Sequence, residues 1–135
     1  MKYAMANRPA VGGFPFLAEC LRMAGVVKNV WELPAAQSVY VMEDGVVVSQ
    51  GTPLVVGMND VPAFDEAALV AALRTDQEGK STFPEFLLAA YAAGVVHYEV
   101  DFHARTVSYA GARGERYTEA YPGVTIEDPA FLTSL

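Results

Sequence analysis

TFPEFLLAAYAAGVVHYEVDFHARTVSYAGARGERYTEAY, at positions 82–121, is the stretch that decides the fold. Thr82 and Glu85 have the spacing of a capping box, which predicts a helix from Phe83 to Ala93 that Gly94 ends. The segment after Gly94 changes to the alternating pattern of a half-buried strand. Two further strands, at 106–110 and 115–120, form a predicted hairpin. The stretch is therefore predicted to be a helix followed by three antiparallel strands.

The alternating strand sorts its side chains between two faces. The period of two predicts these inward residues: Val96, Tyr98, Val100 and Phe102. The residues between them are then predicted to face outward: His97, Glu99 and Asp101.

The chain contains this pattern twice. A shift of 69 positions aligns ten identical residues in a gap-free window of 42, where about three or four are expected from average residue frequencies. The identities are Phe14-Pro15, Ala24-Gly25-Val26-Val27, Tyr40, Gly45, Pro53 and Val55, which match Phe83-Pro84, Ala93-Gly94-Val95-Val96, Tyr109, Gly114, Pro122 and Val124. The pattern predicts an internal duplication.

The first copy is predicted to repeat the same elements. A helix at 14–24 ends at Gly25, and a strand follows with Val27, Trp31 and Leu33 on one face. The next strand covers 38–42, and a tight turn leads to a third strand at 46–50. Because its valines show no alternation, we expect this third strand to be covered on both faces.

These elements predict an α+β fold, with antiparallel strands because the connections are too short for crossovers. The domain is predicted to span 1–135 as two repeats, at about 14–55 and 83–124, linked by a helical segment at 64–76. We expect the two sets of strands to join edge to edge, with those of the first repeat more central. Residues 1–5 align with the end of the linking helix, and the tail after Tyr121 has room for one last helical turn.

Composition limits the partners. The net charge of −7 disfavours nucleic acid, whose binding depends on clustered Lys and Arg. The longest uncharged run, at 45–59, is too short and too polar to cross a membrane. No secretory signal opens the chain, and the single cysteine, Cys20, suits a reducing cytoplasm. We therefore predict a cytoplasmic protein that contacts neither nucleic acid nor membrane.

Aromatic residues on the predicted strands indicate a ligand pocket between the repeats. The candidate ligand-binding aromatics are Trp31, Tyr40, Tyr98 and Tyr109, with Tyr117 beside them, and either Glu32 or Asp101 is the candidate polar anchor. The alternative interpretation is that these rings form the core or cross-strand pairs.

Metal binding is a second hypothesis. His97, Glu99, Asp101 and His103 alternate along one strand, so neighbouring members lie on one face about 6.6–7 Å apart. Neighbours could share a metal ion with a ligand from elsewhere. The alternative is the solvated face of a half-covered sheet. Since the chain has no GxSxG, HExxH, GxGxxG or paired-cysteine motif, we predict no cofactor.

Three runs resemble a known family: RPAVGGFPFLAECLRMAGV, SVYVMEDGVVVSQGTPLV and LRTDQEGKSTFPEFLLAAYAAGVVHYEVDFHARTVSYAGARGERYTEAYP. They are similar to the YdfO/YbcV-like family of small bacterial and prophage-encoded proteins. The resemblance implies a compact α+β domain and a chromosomal or prophage origin. It implies no activity and no catalytic residues, and members often carry the label phage envelope protein.

We predict a non-enzymatic module that uses the groove between the repeats, or an exposed sheet edge, to hold a small molecule or a protein partner. A metal-dependent enzyme built on the strand from His97 to His103 is one alternative, and a phage structural component is another. The acidic, apolar-rich composition is also compatible with a homodimer.

Overall fold

The computed structural model describes residues 13–126. Within that range the helices are α1 (Gly13–Met23), α2 (Glu66–Gln77) and α3 (Phe83–Ala92). The strands are β1 (Val26–Glu32), β2 (Gln37–Met42), β3 (Gly45–Gln50), β4 (Val95–Asp101), β5 (Thr106–Gly111) and β6 (Arg116–Ala120). The predicted α+β class is confirmed. The prediction for residues 1–5 lies outside the described residues, as does the tail from residue 127 onward.

All six strands form one antiparallel sheet in the order β3-β2-β1-β4-β5-β6. The two meanders therefore join edge to edge, as expected. Their seam is the β1–β4 pair, in which Trp31 lies opposite Tyr98 and Glu32 opposite His97. Neither half is more central than the other, because each contributes one strand to the seam.

Local sequence signals place the helix ends. Thr82 Oγ1 accepts from the Glu85 amide at 3.3 Å, and the Glu85 carboxylate accepts from the Thr82 amide at 2.8 Å, which confirms the capping box. Asp65 caps α2 by accepting from the Ala68 amide at 3.0 Å. The linking helix consequently begins at Glu66 and not at Phe64.

Gly94 follows α3 with φ +89, a conformation that L side chains rarely adopt. A Cβ there would also lie 2.6 Å from the Phe64 Cα. Gly25 follows α1 with φ +97. The two predicted helix-ending glycines are thus in the left-handed region, and Gly94 additionally lets the segment before α2 cross closely.

One face of the sheet carries the core. Buried residues from all three helices, including Leu21, Leu69 and Phe86, join Tyr98 and Val100 of β4 in one large cluster. No helix in the described part of the chain is long and apolar enough to cross a membrane.

The register changes where β1 and β4 begin. Register shifts fall between Val26 and Lys28 and between Val95 and His97. Val26 and Val95 are consequently the buried residues, whereas Val27 is 44% exposed. The predicted inward positions of Val27 and Val96 were therefore wrong by one residue.

The third strand of the first half was also predicted wrongly. All six residues of β3 are exposed, and the strand is an edge of the sheet. A short apolar run has the same appearance in a central strand and in an uncovered one, because burial depends on what the rest of the chain packs against it.

Candidate functional site

A row of aromatic side chains crosses four neighbouring strands. Trp31 of β1 is in register with Tyr98 of β4, Tyr98 with Tyr109 of β5, and Tyr109 with Tyr117 of β6. Their ring centroids are 6.1, 5.4 and 6.4 Å apart in that order. Phe83 of α3 extends the row, with its ring centroid 5.0 Å from that of Trp31. The rings lie on the face of the sheet that the helices cover.

Between this row and the helices lies a cavity of about 350 Å³. Its sheet side includes Trp31, Tyr40, Tyr98 and Tyr109. Its helical side includes Phe14, Leu17, Leu21, Leu73, Phe83 and Phe86. Small-molecule sites in proteins have volumes of roughly 300–1,000 Å³ and mostly apolar walls. The cavity has the size and lining of such a site.

Asn29 is a buried polar residue in the cavity wall, at 7% exposure. Its Oδ1 accepts from Trp31 Nε1 at 3.0 Å, and its Nδ2 donates to the Val39 carbonyl at 3.2 Å. A buried polar side chain in a strand needs such partners. Asn29 thereby fixes the plane of the Trp31 indole and satisfies the indole N–H.

Two tyrosine hydroxyls belong to the same wall. Burial raises the pKa of Tyr98 well above its usual value, and burial likewise raises the pKa of Tyr109. Both hydroxyls are therefore protonated at neutral pH. Tyr98 and Tyr109 both line the cavity. Each is consequently a donor that a bound molecule could use.

A polar network holds one side of the cavity. Arg74 of α2 donates to both carboxylate oxygens of Glu119, at 3.1 and 2.5 Å, and the Tyr117 hydroxyl donates to Glu119 at 2.5 Å. Gln77 Nε2 donates to the same carboxylate at 3.4 Å. The hydrogen bonds from Arg74 lower the pKa of Glu119 below its usual value. The network ties the end of α2 to the edge strand β6.

A second cavity of about 570 Å³ adjoins the first on the far side of this network. Both cavities are lined by Phe14 and Tyr121, whose rings meet edge to face at 5.1 Å, and burial raises the pKa of Tyr121 to about 12. Tyr117 lines the second cavity and not the first.

The predicted ligand-binding residues divide into two groups. Trp31, Tyr40, Tyr98 and Tyr109 all line the first cavity, whereas Glu32 and Asp101 do not. Strand alternation explains the difference, since Glu32 precedes the buried Leu33 and faces away from the helices. The Asp101 carboxylate accepts from the amides of His103 and Ala104 at 3.0 and 2.9 Å in the β4–β5 turn. Neither acid therefore provides the predicted polar anchor.

The predicted metal ligands form separate pairs. His97 Nδ1 lies 2.7 Å from Glu32 Oε1, and Glu99 lies 3.4 Å from Lys28 Nζ. His103 lies in the turn beyond the strand. In the part of the chain that the structure describes, no three His, Cys, Asp or Glu side chains are grouped to hold a metal ion.

Sequence reasoning missed the polar part of the wall: Asn29, Asp76, Gln77 and Glu119. Local signals for two of them were present. Asn29 is an unfavourable residue in the interior of a strand. Asp76 lies in the last turn of α2, where the helix dipole disfavours a carboxylate.

Comparisons with known proteins identify relatives. The model of a family described as "Protein of unknown function (DUF1398)" matches residues 4–119. The chain is 54% identical over 121 residues to the uncharacterized protein Rv2012 of Mycobacterium tuberculosis, a match covering 90% of this chain and 74% of the relative. The uncharacterized protein Mb2035 of Mycobacterium bovis matches with the same identity and coverage.

Proposed function

The chain belongs to the DUF1398 family of unknown function, and from that premise we propose that it is a non-enzymatic module that binds a small molecule in the cavity between the aromatic row and the helices. The observation that carries this proposal is the row itself, in which Trp31, Tyr98 and Tyr109 line one wall in strand register. The ligand is a planar, largely apolar molecule.

The shape of the wall supports a planar ligand. The Trp31 and Tyr98 rings are nearly parallel, at 12°. Neighbouring strands keep such rings at fixed spacing, so the wall is rigid before a ligand arrives. Aromatic rings on both the sheet side and the helical side, the latter from Phe83 and Phe86, would contact the two faces of a flat molecule.

The hydroxyls of Tyr98 and Tyr109 support a ligand with a hydrogen-bond acceptor, such as a carbonyl or a ring nitrogen. Both tyrosines line the cavity, so a ligand acceptor placed there could accept a hydrogen bond from either hydroxyl. Their raised pKa values make them donors and not nucleophiles at neutral pH.

Trp31 provides the test, because it is the only tryptophan in the chain and lines the cavity. A neutral planar dye, N-phenylnaphthylamine, should bind and accept excitation energy from Trp31. Val107→Phe, which fills the cavity from β5, should abolish the energy transfer. Val39→Phe makes the same change on β2, where Val39 does not line the cavity, and should leave the transfer intact.

Circular dichroism and thermal melting of both variants separate a filled cavity from an unfolded protein. Extraction of the protein purified from cells, followed by mass spectrometry, should identify a co-purified planar molecule. Equal dye binding by folded Val107→Phe and wild-type protein would overturn the proposal.

We also propose that the two halves arose by duplication. In support, each half runs helix, then three strands, and the two register shifts fall at aligned positions, Val26/Lys28 and Val95/His97. The YdfO/YbcV-like affinity, the prophage origin and the cytoplasmic location stay predictions from the sequence.

A further inference from the structure

Strand β3 is an uncharged, uncovered edge of the sheet. Its sequence, from Gly45 to Gln50, contains no charged residue and no proline. Its valines are 59%, 50% and 56% exposed in chain order, from Val46 to Val48. Its pairing with β2 has no register shift. Natural edge strands are usually protected from pairing with another chain by charge, proline or a bulge, and β3 has none of these.

The backbone of β3 has a defined set of free groups. A two-residue turn joins β2 to β3, so Met42 and Gly45, which flank it, form a hydrogen-bonded pair. Hydrogen-bonded and open pairs then alternate along the ladder. The bond from the Gly51 amide to the Ala36 carbonyl, at 2.8 Å, follows the same alternation. The N–H and C=O groups of Val46, Val48 and Gln50 therefore point away from β2.

We propose that β3 pairs antiparallel with β3 of a second copy of this chain, across a two-fold axis at Val48. In this register Val48 lies opposite the partner subunit's Val48, and Val46 lies opposite the partner subunit's Gln50. Val47 lies opposite the partner subunit's Ser49. The outward groups of both strands bond to each other, and the two sheets become one.

Charge explains why the occupant is a second copy. Each chain carries a net charge of −7, so two copies repel each other least where neither presents carboxylates. The uncharged strand satisfies this condition. In the proposed register the acidic turn, Glu43-Asp44, lies opposite the partner's Pro53 and Thr52, so no carboxylate faces another.

The two-fold symmetry adds a second argument. An isologous pairing makes the Val46–Gln50 and Val47–Ser49 contacts twice with a single patch of surface. It also covers the exposed apolar residues of both copies at once.

The test uses the self-contact of Val48. By native mass spectrometry and light scattering, the wild-type protein should have twice the 14.5 kDa chain mass. Val48→Lys and Val48→Glu each put like charges opposite each other and should raise the dimer dissociation constant at least about tenfold. An equimolar mixture of the two variants should restore a dimer, now mixed, because unlike charges face each other. Thr118→Lys, on the exposed edge strand β6, should leave the dimer intact.

The mixture distinguishes a lost interface from a lost fold, because misfolded variants do not restore each other. A monomeric wild-type protein would overturn the proposal. So would variants that remain dimeric, or folded monomeric variants whose mixture stays monomeric. None of these outcomes depends on occupancy of the cavity.

Discussion

The two edge strands, β3 and β6, hold the same place in their meanders but have opposite surroundings. In β6, Tyr117 packs against Tyr109, and Glu119 is held by Arg74 of α2. In β3, the valines are at least half exposed. The difference shows that the same topology serves two purposes. Strand β6 borders the cavity through Glu119 and Ala120, whereas β3 leaves an edge free.

The sequences of the two strands explain this divergence. In β6, Tyr117 and Glu119 alternate with the exposed Arg116 and Thr118, so one face meets α2 and the other meets water. The valines of β3 occupy both faces, and none carries a polar group that could bond to a helix. The contrast concerns the third strand of each half and not the seam.

The largest expected difference is between the loss of a core ring of β5 and the loss of an exposed valine of β3. Tyr109→Ala removes a ring that is 5% exposed and should lower the free energy of unfolding by about 3–5 kcal/mol. Val47→Ala on β3 should change it by no more than about 0.5 kcal/mol. Urea denaturation followed by circular dichroism measures both, at a concentration low enough to keep the chain monomeric. Similar losses for the two variants would contradict the comparison.

The network that secures β6 should give an intermediate effect. Glu119→Gln weakens the bonds to Arg74 and should lower the free energy of unfolding by about 1 kcal/mol at neutral pH. Since the folded pKa of Glu119 is lowered, its contribution is present above the unfolded pKa and is lost as pH falls through the folded pKa. The difference in the free energy of unfolding between wild type and Glu119→Gln should therefore disappear at acidic pH.

Urea titrations at neutral and acidic pH measure that gap. Glu99→Gln is the matched control, because its pair with Lys28 is more exposed, at 3.4 Å. A gap for Glu119→Gln that does not change with pH would refute the assigned role of the carboxylate.

A stability effect as small as that of Val47→Ala is expected from Tyr98→Phe. The change keeps the ring and removes one hydroxyl from a residue that lines the cavity, so the free energy of unfolding should shift by no more than about 0.5 kcal/mol. Affinity for a ligand with an acceptor group should fall about tenfold, as expected for one lost hydrogen bond. Isothermal titration of the co-purified molecule measures the affinity. An unchanged affinity would remove Tyr98 as the donor.

Local signals were enough to predict the frame of the fold. The helix ends are marked by Thr82 with Glu85 and by the glycines at 25 and 94. These residues act on their immediate neighbours in the chain, so the positions of the helix ends do not depend on distant packing. The aromatic lining was also predictable, because strand alternation puts Tyr98 and Tyr109 inward.

The features that the sequence did not predict depend on contacts between distant segments of the chain. The exposure of Val46–Val48 follows from strand order, which a single strand does not encode. The burial of Val26 in place of Val27 follows from the register shift after Val26, which no local residue pattern reveals. The polar side of the cavity needs Arg74 and Glu119, whose separation in the chain is 45 residues.

The β1–β4 seam has a consequence for how the protein folds. Within each meander, strands pair with neighbours across short turns, but the seam brings together Glu32 and His97, 65 residues apart in the chain. Closing so long a loop loses chain entropy before any contact compensates for it, so the seam should be the slow step and the hairpins the fast ones. Stopped-flow refolding followed through Trp31, which stacks on Tyr98 only once the seam closes, should then show a single late change. An early fluorescence change would place seam closure before hairpin formation.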